Sequence, residues 1–525
     1  MFKLLFLTLL LNSCTQFVQN TDDEYFDTID NKTKSEHLSI IFSHNINGET
    51  HPCGCRSFPL GGLPQVAGEL HSLREKVQLF YLDTGDAFFP STQVPALLEK
   101  SQLFTADKIA ESFDKNGLDI FLPGDQDFAF GEGFLADISN KYKFKFIISN
   151  LKSQSKIKHQ KWIVKKFGEQ NIVFLGILEP TLVSIEYRDL LDSPYSSIDR
   201  TLKEVQKKLG DLEKLKIVLL SHSGMDFDKN LAKKFPQIDW IIGSHSQAFT
   251  QLTVDVNNTK IVQVLSRNHY LGHIKIAASM KADDSFKVIE VRDELKDKWK
   301  DNIMLSWLDK YKSSIDKIQL EEQKLMTTDS GVYGHKANTA ASCIECHKEQ
   351  SEFWQGTAHS IAYVTLENAK SGNNPNCIGC HSLNYKKLNG FQNTDDMVLS
   401  SKNLEKYWKE WETNVHPIKS VRKLSRTEVK SHSKKWMKLD EKNEVTHNFA
   451  NVQCLNCHDK AGDHPFEMDD EVKKTTDYMS KCLKCHTNDQ SPEWYSKNDK
   501  GIATTVNKTY VSGIIKKIAC PKRKE

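Results

Sequence analysis

Four times between Cys343 and His486 the chain reads C-x-x-C-H. The copies are Cys343-Ile-Glu-Cys346-His347, Cys377-Ile-Gly-Cys380-His381, Cys454-Leu-Asn-Cys457-His458 and Cys482-Leu-Lys-Cys485-His486. Two thiols three residues apart reach the two vinyl groups of one porphyrin, and the following His is held under the iron as its proximal ligand. Zinc sites also use C-x-x-C, but a tetrahedral site joins two such pairs and does not require His after each second Cys. The spacing therefore predicts four covalently bound c-type haems. Eight of the 12 cysteines lie in these motifs, leaving Cys14, Cys53, Cys55 and Cys520, which is not the pattern of a disulfide framework.

Each iron needs a distal ligand as well. His335, His359, His416, His432, His447 and His464 are available around the motifs. Trp354 to His359 and Trp411 to His416 share W-x-x-x-x-H, a faint internal repeat. So many haems in so short a stretch leave little protein for a core, so the porphyrins must supply much of the apolar surface. Haems packed in this way pass electrons among themselves. An iron left without a distal side chain would be open to a small molecule.

The region around residues 335–495 resembles the tetrahaem cytochrome c family whose members carry electrons in nitrification. The resemblance rests on the first motif followed by Trp354 and His359, on Cys454-Leu-Asn-Cys-His-Asp-Lys-Ala-Gly-Asp-His464, and on Cys482-Leu-Lys-Cys-His with Ser491-Pro492-Glu-Trp494. It implies a mostly α multihaem domain over 331–497, with His359, His464 and His416 as distal ligands. The fourth distal ligand stays open among His335, His432 and His447.

The first half has a different rhythm. Apolar runs at Leu38–Ser43, Val77–Leu82, Asp119–Leu122, Phe144–Ser149, Ile172–Ile177, Ile217–Ser221, Trp240–Gly243, Ile261–Leu265 and Ile274–Ala278 read as strands. Helical patterns at Val66–Lys76, Pro95–Lys115, Ile198–Leu209 and Phe227–Phe235 alternate with them, which predicts a layered α/β domain. The strands end in polar groups: Ser43-His44-Asn45, Asp83-Thr84-Gly85-Asp86, Pro123-Gly124-Asp125, Ser221-His222 and Gly243-Ser244-His245. Such strand ends are where α/β folds build their sites.

These residues resemble the 5′-nucleotidase branch of the metallophosphatase superfamily, over roughly 38–280. The likeness implies a four-layer α/β/β/α sandwich holding two divalent metals. Several positions depart from the family's pattern. Its opening D-x-H reads Asn45-Ile-Asn47, and its closing G-H-x-H reads Ser244-His245-Ser246-Gln247. Amides are poor ligands for a transition metal, so the first metal site is read as lost. Asp86, Asp125, His222 and His245 would form the second, a competent set for one zinc, manganese or iron ion. The family's catalytic His is Gln126, which cannot act as a general acid near neutral pH. Two-metal hydrolysis is therefore not expected.

His51-Pro52-Cys53-Gly54-Cys55-Arg56 follows directly. A bacterial subgroup of the same branch also carries C-G-C after the N-G turn. Cys53 and Cys55 could form a strained disulfide or chelate a soft metal, with Arg56 and His51 favouring thiolate. They are the candidate catalytic pair for redox or sulfur chemistry; the competing reading is an inert loop.

Met1 to Cys14 is one Lys followed by an apolar run too short to span a bilayer, and it reads as a secretory signal. Leu11-Asn-Ser-Cys14 resembles the lipobox of bacterial lipoproteins, which implies acylation of Cys14, anchoring to a membrane and residence in the cell envelope. Residues 15–37 read as a polar tether. Glu294 to Met326 keeps one apolar face and predicts a helical connector over 292–330. Residues 498–525 form a basic tail.

With 71 basic and 69 acidic residues, nothing suggests a nucleic-acid partner. The expected function is electron transfer with redox partner proteins. The alternatives are hydrolysis of a small phosphate or sulfur ester at a single metal, and reduction of a substrate by haem electrons through Cys53 and Cys55.

Overall fold

The computed structural model describes residues 37–52, 59–167, 170–279, 282–325, 339–344, 346–387, 390–400, 402–458, 477–488, 490–497 and 503–521. Cys14, Cys53, Cys55, His335 and His464 lie outside the described residues.

Two sheets make the N-terminal half. The parallel centre of the first comprises β1 (His37–Ser43), β2 (Leu79–Asp83), β3 (Ile120–Phe121), β4 (Lys145–Ile147) and β5 (His159–Gln160). Antiparallel β12 (Tyr270–Ala277) and β13 (Ser285–Glu290) close one edge, giving the order β13-β12-β1-β2-β3-β4-β5. In the second sheet β7 (Gln170–Leu178), β8 (Leu215–His222), β9 (Trp240–Gly243) and β11 (Thr259–Val262) run parallel. β6 (Trp162–Phe167) and β10 (Val254–Val256) are its antiparallel edges, and the order is β10-β11-β9-β8-β7-β6.

Side chains alternate across a strand, so a run that is apolar throughout must be covered on both faces. The second sheet shows this residue by residue. Phe174, Val218, Leu220, Ile242 and Val262 join the core between the sheets. Val173, Leu175, Ile217, Leu219 and Ile241 turn the other way, against Ile198, Leu202 and Leu231 of α4 (Pro194–Leu209) and α5 (Met225–Lys234). Phe80 of β2 meets Phe174 of β7 at 5.0 Å between ring centroids, across the gap between sheets. Helices α1 (Leu63–Arg74), α2 (Glu99–Lys115) and α3 (Gly131–Lys141) contribute Val66, Ile109 and Leu135 to the same core as the first sheet. The result is α/β/β/α layering.

The edge strands β5, β6, β10 and β13 carry mixed patterns with polar or lysine residues, which is why apolar runs alone do not reveal them. The connector also differs from a single long helix. A 3-10 segment at Asp293–Lys298 is followed by a break and then α6 (Ile303–Leu325). Asn302 causes the break: its amide donates to Pro64 O and Lys296 O at 2.9 Å, and its Oδ1 accepts from Met304 N, starting a new helix.

α6 packs on the N-terminal half and touches the C-terminal half as well. Tyr311 bonds Thr105, and buried Glu322 accepts from Ser101 N at 2.7 Å. Facing the other way, Asp316 accepts from both Asn373 N (2.9 Å) and Asn373 Nδ2 (2.8 Å). Gln323 donates to Asn373 O and accepts from Thr394 N.

The C-terminal half is built of short helices: α7 (Ala340–Ile344), α8 (Lys348–Gln355), α9 (Ala362–Asn368), α10 (Pro375–His381), α11 (Leu404–Asn414), α12 (Arg426–Lys442), α13 (Cys454–Cys457), α14 (Tyr478–Leu483) and α15 (Lys508–Ile518). Ser425 and Glu428 form a reciprocal capping box at the start of α12. Tyr407, Trp411 and Trp436 centre a small apolar cluster, with the two indoles 5.2 Å apart.

Candidate metal centre and haem-binding motifs

In the N-terminal half, parallel strands deliver polar residues at their carboxyl ends. Asp86 follows β2, Asp125 follows β3, His222 ends β8 and His245 follows β9. Asp86 and His245 take left-handed backbone conformations (φ 57° and 66°), as do Asn45, Asn47 and Gln247. Non-glycine residues held so are uncommon and concentrate at functional sites. The turn after β2 presses on the turn after β3. A methyl group on Gly85 would strike the Gly124 backbone, and one on Gly124 would overlap Asp86 Oδ1 and His222 Cε1.

The four side chains converge. His222 Nε2 lies 2.9 Å from Asp125 Oδ1 and 3.3 Å from Asp86 Oδ2, and His245 Nδ1 lies 3.0 Å from Asp125 Oδ1. One ligand atom from each of the four falls within 4.8 Å of the others. His222 Nδ1 donates to the Thr84 carbonyl at 2.8 Å, which fixes the tautomer and leaves Nε2 facing the cluster. Burial raises the Asp125 carboxyl, but hydrogen bonds from His222 and His245 outweigh it and hold it below the usual carboxylate range. Burial disfavours the His222 imidazolium, yet the Asp86 and Asp125 charges keep its pKa well above the ordinary value.

Two carboxylates and two imidazoles at this spacing fit one divalent ion of the zinc, manganese or iron type. The groups beside them are amides, which are weaker ligands. Asn45 uses its amide on Asp86 Oδ2 (2.8 Å) and its oxygen on His245 N. The Asn47 and Gln126 amide oxygens are buried without partners.

Asp127 is a residue that the motif reading passed over. Its carboxylate accepts from Asp86 N (2.9 Å), Phe88 N (2.8 Å) and Gly124 N (2.9 Å), pinning both loops. Burial and the Asp86 charge push its pKa up to about 7. Its position two residues after Asp125 was the available signal.

In the C-terminal half the haem-motif cysteines among the described residues form no disulfide, and four of the eight meet in two pairs. Cys343 of the first motif is hydrogen-bonded with Cys454 of the third, and Cys380 of the second with Cys485 of the fourth. His381 of the second motif is bonded through Nδ1 to Ala362 O at 2.7 Å, and His486 of the fourth through Nδ1 to Ser491 Oγ at 2.8 Å. His486 stacks on Trp494 at 4.2 Å, and His458 meets Tyr478 edge-on. These thiols and imidazoles are the donors a c-type haem requires.

Of the distal candidates, His359 is half-buried, and desolvation followed by the His486 and His381 charges lowers its pKa to about 4. It is neutral, the form that binds iron. Its ring centroid lies 6.4 Å from that of His486. His416 instead stacks on Trp411 at 4.9 Å and bonds Asn368 Oδ1. His432 bonds Val415 O, and His447 stacks on Phe449. The two W-x-x-x-x-H copies therefore differ: the Trp354 indole donates to Val452 O rather than stacking on its own His.

Comparison with known proteins agrees with two unlike halves. Residues 342–405 match the family model of cytochrome c554 and c-prime. About half the chain is homologous to 5′-nucleotidases. It is 23% identical over 289 residues to the Mus musculus 5′-nucleotidase (48% of this chain, 47% of that protein). It is 21% identical over 280 residues to the Bos taurus 5′-nucleotidase (47% of each). The chain thus spans about half the length of the curated relatives it matches. Similar solved structures include a 5′-nucleotidase precursor from Thermus thermophilus (TM-score 0.42, 18% identity, 49% of this chain and 55% of that one). Another is a calcineurin-like phosphoesterase from Bacillus subtilis (TM-score 0.43, 17% identity, 54% of this chain and 99% of that one). Among the described residues no helix is long and apolar enough to cross a membrane.

Proposed function

We propose that the chain is an exported, lipid-anchored tetrahaem cytochrome c of the cell envelope. It carries electrons between redox partner proteins and is fused to a metallophosphatase-like domain that has lost two-metal hydrolysis. The observation that carries this reading is the pairwise meeting of motif cysteines, first with third and second with fourth. It brings haems close enough for electrons to pass between them. His359 would join His486 in holding the iron of the fourth motif. Two imidazole nitrogens each about 2 Å from one metal put their ring centroids roughly 6 Å apart, and these two stand at 6.4 Å. His464 and His416 are the next distal candidates. A c-type haem supplies a one-electron couple; the protein's part is to tether it, orient its imidazoles and shield it.

The test is expression in a host that matures c-type cytochromes. The mature polypeptide should gain the mass of four haems and show a bis-imidazole low-spin spectrum for the haem of the fourth motif. A colourless product of bare peptide mass would overturn the proposal.

A second reading is favoured by the cluster of Asp86, Asp125, His222 and His245. One bound ion could polarise a phosphate or sulfur ester in the N-terminal half. In that case turnover of bis(p-nitrophenyl) phosphate would track metal content and vanish in Asp86→Ala. A third role, reduction of substrate through Cys53 and Cys55, predicts that Cys53→Ser abolishes substrate reduction and leaves the haem potentials unchanged.

A further inference from the structure

His44 follows β1 and has no part in either proposed chemistry. It is 1% exposed, and its neighbour Asn45 is fully buried. An imidazole walled off from water must settle both ring nitrogens inside the protein. The backbone N–H of Val264 donates to His44 Nε2 at 3.1 Å. An N–H can only donate, so Nε2 carries a lone pair and the ring proton of the neutral imidazole sits on Nδ1. Nδ1 lies 2.7 Å from Asn45 Oδ1 and donates to it.

That proton turns the Asn45 amide one way. Its oxygen takes two donors, His44 Nδ1 and His245 N at 3.2 Å. Its nitrogen faces Asp86 Oδ2 at 2.8 Å. Reversed, the amide would set its oxygen against the Asp86 carboxylate and its N–H groups against two donors, losing all of these bonds at once. The Asn45 backbone is held as firmly. Its N–H donates to Gly85 O and its carbonyl accepts from Arg267 N, both at 2.8 Å. It stands at φ 48°, a left-handed conformation that asparagine tolerates better than most residues. Whatever fixes the Asn45 amide therefore fixes one oxygen of Asp86; the other, Oδ1, accepts from Gln126 N at 2.9 Å. An amide nitrogen has no lone pair for a metal, and the two lone pairs of the Asn45 oxygen are already taken. Asn45 thus orients a ligand without being one.

We infer that His44 is a positioning residue of the metal centre: by holding Asn45 in a single amide orientation, it keeps the Asp86 carboxylate in place beside His222, Asp125 and His245. The inference rests on the single-ion reading of that cluster. The contacts give the order of action: Val264 N to His44, His44 to Asn45, Asn45 to Asp86. Groups behind the ligands set affinity because a carboxylate left unaimed must be ordered when the ion binds.

The test uses the full-length haem-loaded protein, stripped of divalent metal by chelation and titrated with Mn2+. Free Mn2+ is read from its six-line EPR signal at room temperature. His44→Phe keeps a ring and removes both of its nitrogens; it should weaken Mn2+ binding about tenfold. Asn45→Ala should weaken it at least as much. The double variant separates aiming from general support. If His44 acts through Asn45, His44→Phe should cost less than about twofold more once Asn45 is alanine. The cycle is repeated with His44→Leu, so that the fit of a phenyl ring does not decide the result, and melting curves of the metal-free variants establish that they are folded. His273→Phe removes another buried ring, one bonded to Ser39, and should leave Mn2+ affinity unchanged. Wild-type affinity in the His44 variants, or equal losses from them in both backgrounds, would overturn the inference alone. No Mn2+ binding by the wild type would overturn the single-ion reading and the inference with it.

Discussion

The two halves of this molecule hold themselves together in opposite ways. The N-terminal half closes two sheets over a large apolar core made of its own side chains, with Leu82, Phe121, Phe174 and Leu220 all fully buried. Its candidate metal centre sits at the strand ends, outside that core. The C-terminal half has one modest cluster around Trp411 and Trp436, and the cysteines of the first, third and fourth motifs lie outside it. A metal would only decorate the first half, whereas haem would complete the second. A prosthetic group can thus be an accessory to a fold or part of its interior, and which it is follows from where the protein's own apolar atoms lie.

The sharpest way to break this contrast is to remove one haem. Cys454→Ser with Cys457→Ser should cost one haem per chain by pyridine haemochrome assay. The C-terminal half should become sensitive to protease while the N-terminal half keeps its melting transition; loss of both transitions would end the contrast. The converse is Leu220→Ala, whose cavity between the sheets should destabilise the N-terminal half by about 3 kcal/mol in urea unfolding. Haem content should not change. Gly124→Ala forces a methyl group into Asp86 and His222. Metal affinity by titration calorimetry should fall about 100-fold, or about 2.7 kcal/mol. Chelation of the wild type should lower the melting point of the N-terminal half without unfolding it, since binding at 100 times Kd contributes only about 2.7 kcal/mol. The smallest effect is expected at the seam between halves. Asp316→Ala removes two acceptors from Asn373 and should cost about 1–2 kcal/mol, read by calorimetry as two transitions moving apart.

What the sequence revealed followed the same divide. The polar groups after each parallel strand are short local runs, so Asp86, Asp125, His222 and His245 could be named one by one. Their meeting within 4.8 Å is a property of the sheets. The edge strands were missed because a strand covered on one side alternates and one at an edge carries lysines, which blurs the apolar signal. The break at Asn302 was missed because its cause is tertiary: an amide reaching back to Pro64. In the C-terminal half the four C-x-x-C-H motifs are unmistakable, but which meets which is written nowhere locally. The proximity of His359 to His486 spans 127 residues of chain and appears only on folding. The second W-x-x-x-x-H looked like the first, yet Trp411 covers its own His416 while Trp354 turns to Val452.

One helix belongs to both halves. α6 is gripped by Ser101 and Thr105 on one flank and by Asn373 and Thr394 on the other. It is about 35 Å of continuous rod at 1.5 Å per residue. A tug applied at the two ends of the polypeptide would load that rod in shear along its length. Stretched in an optical trap, the wild type should part its two lobes at a higher force than Asp316→Ala does.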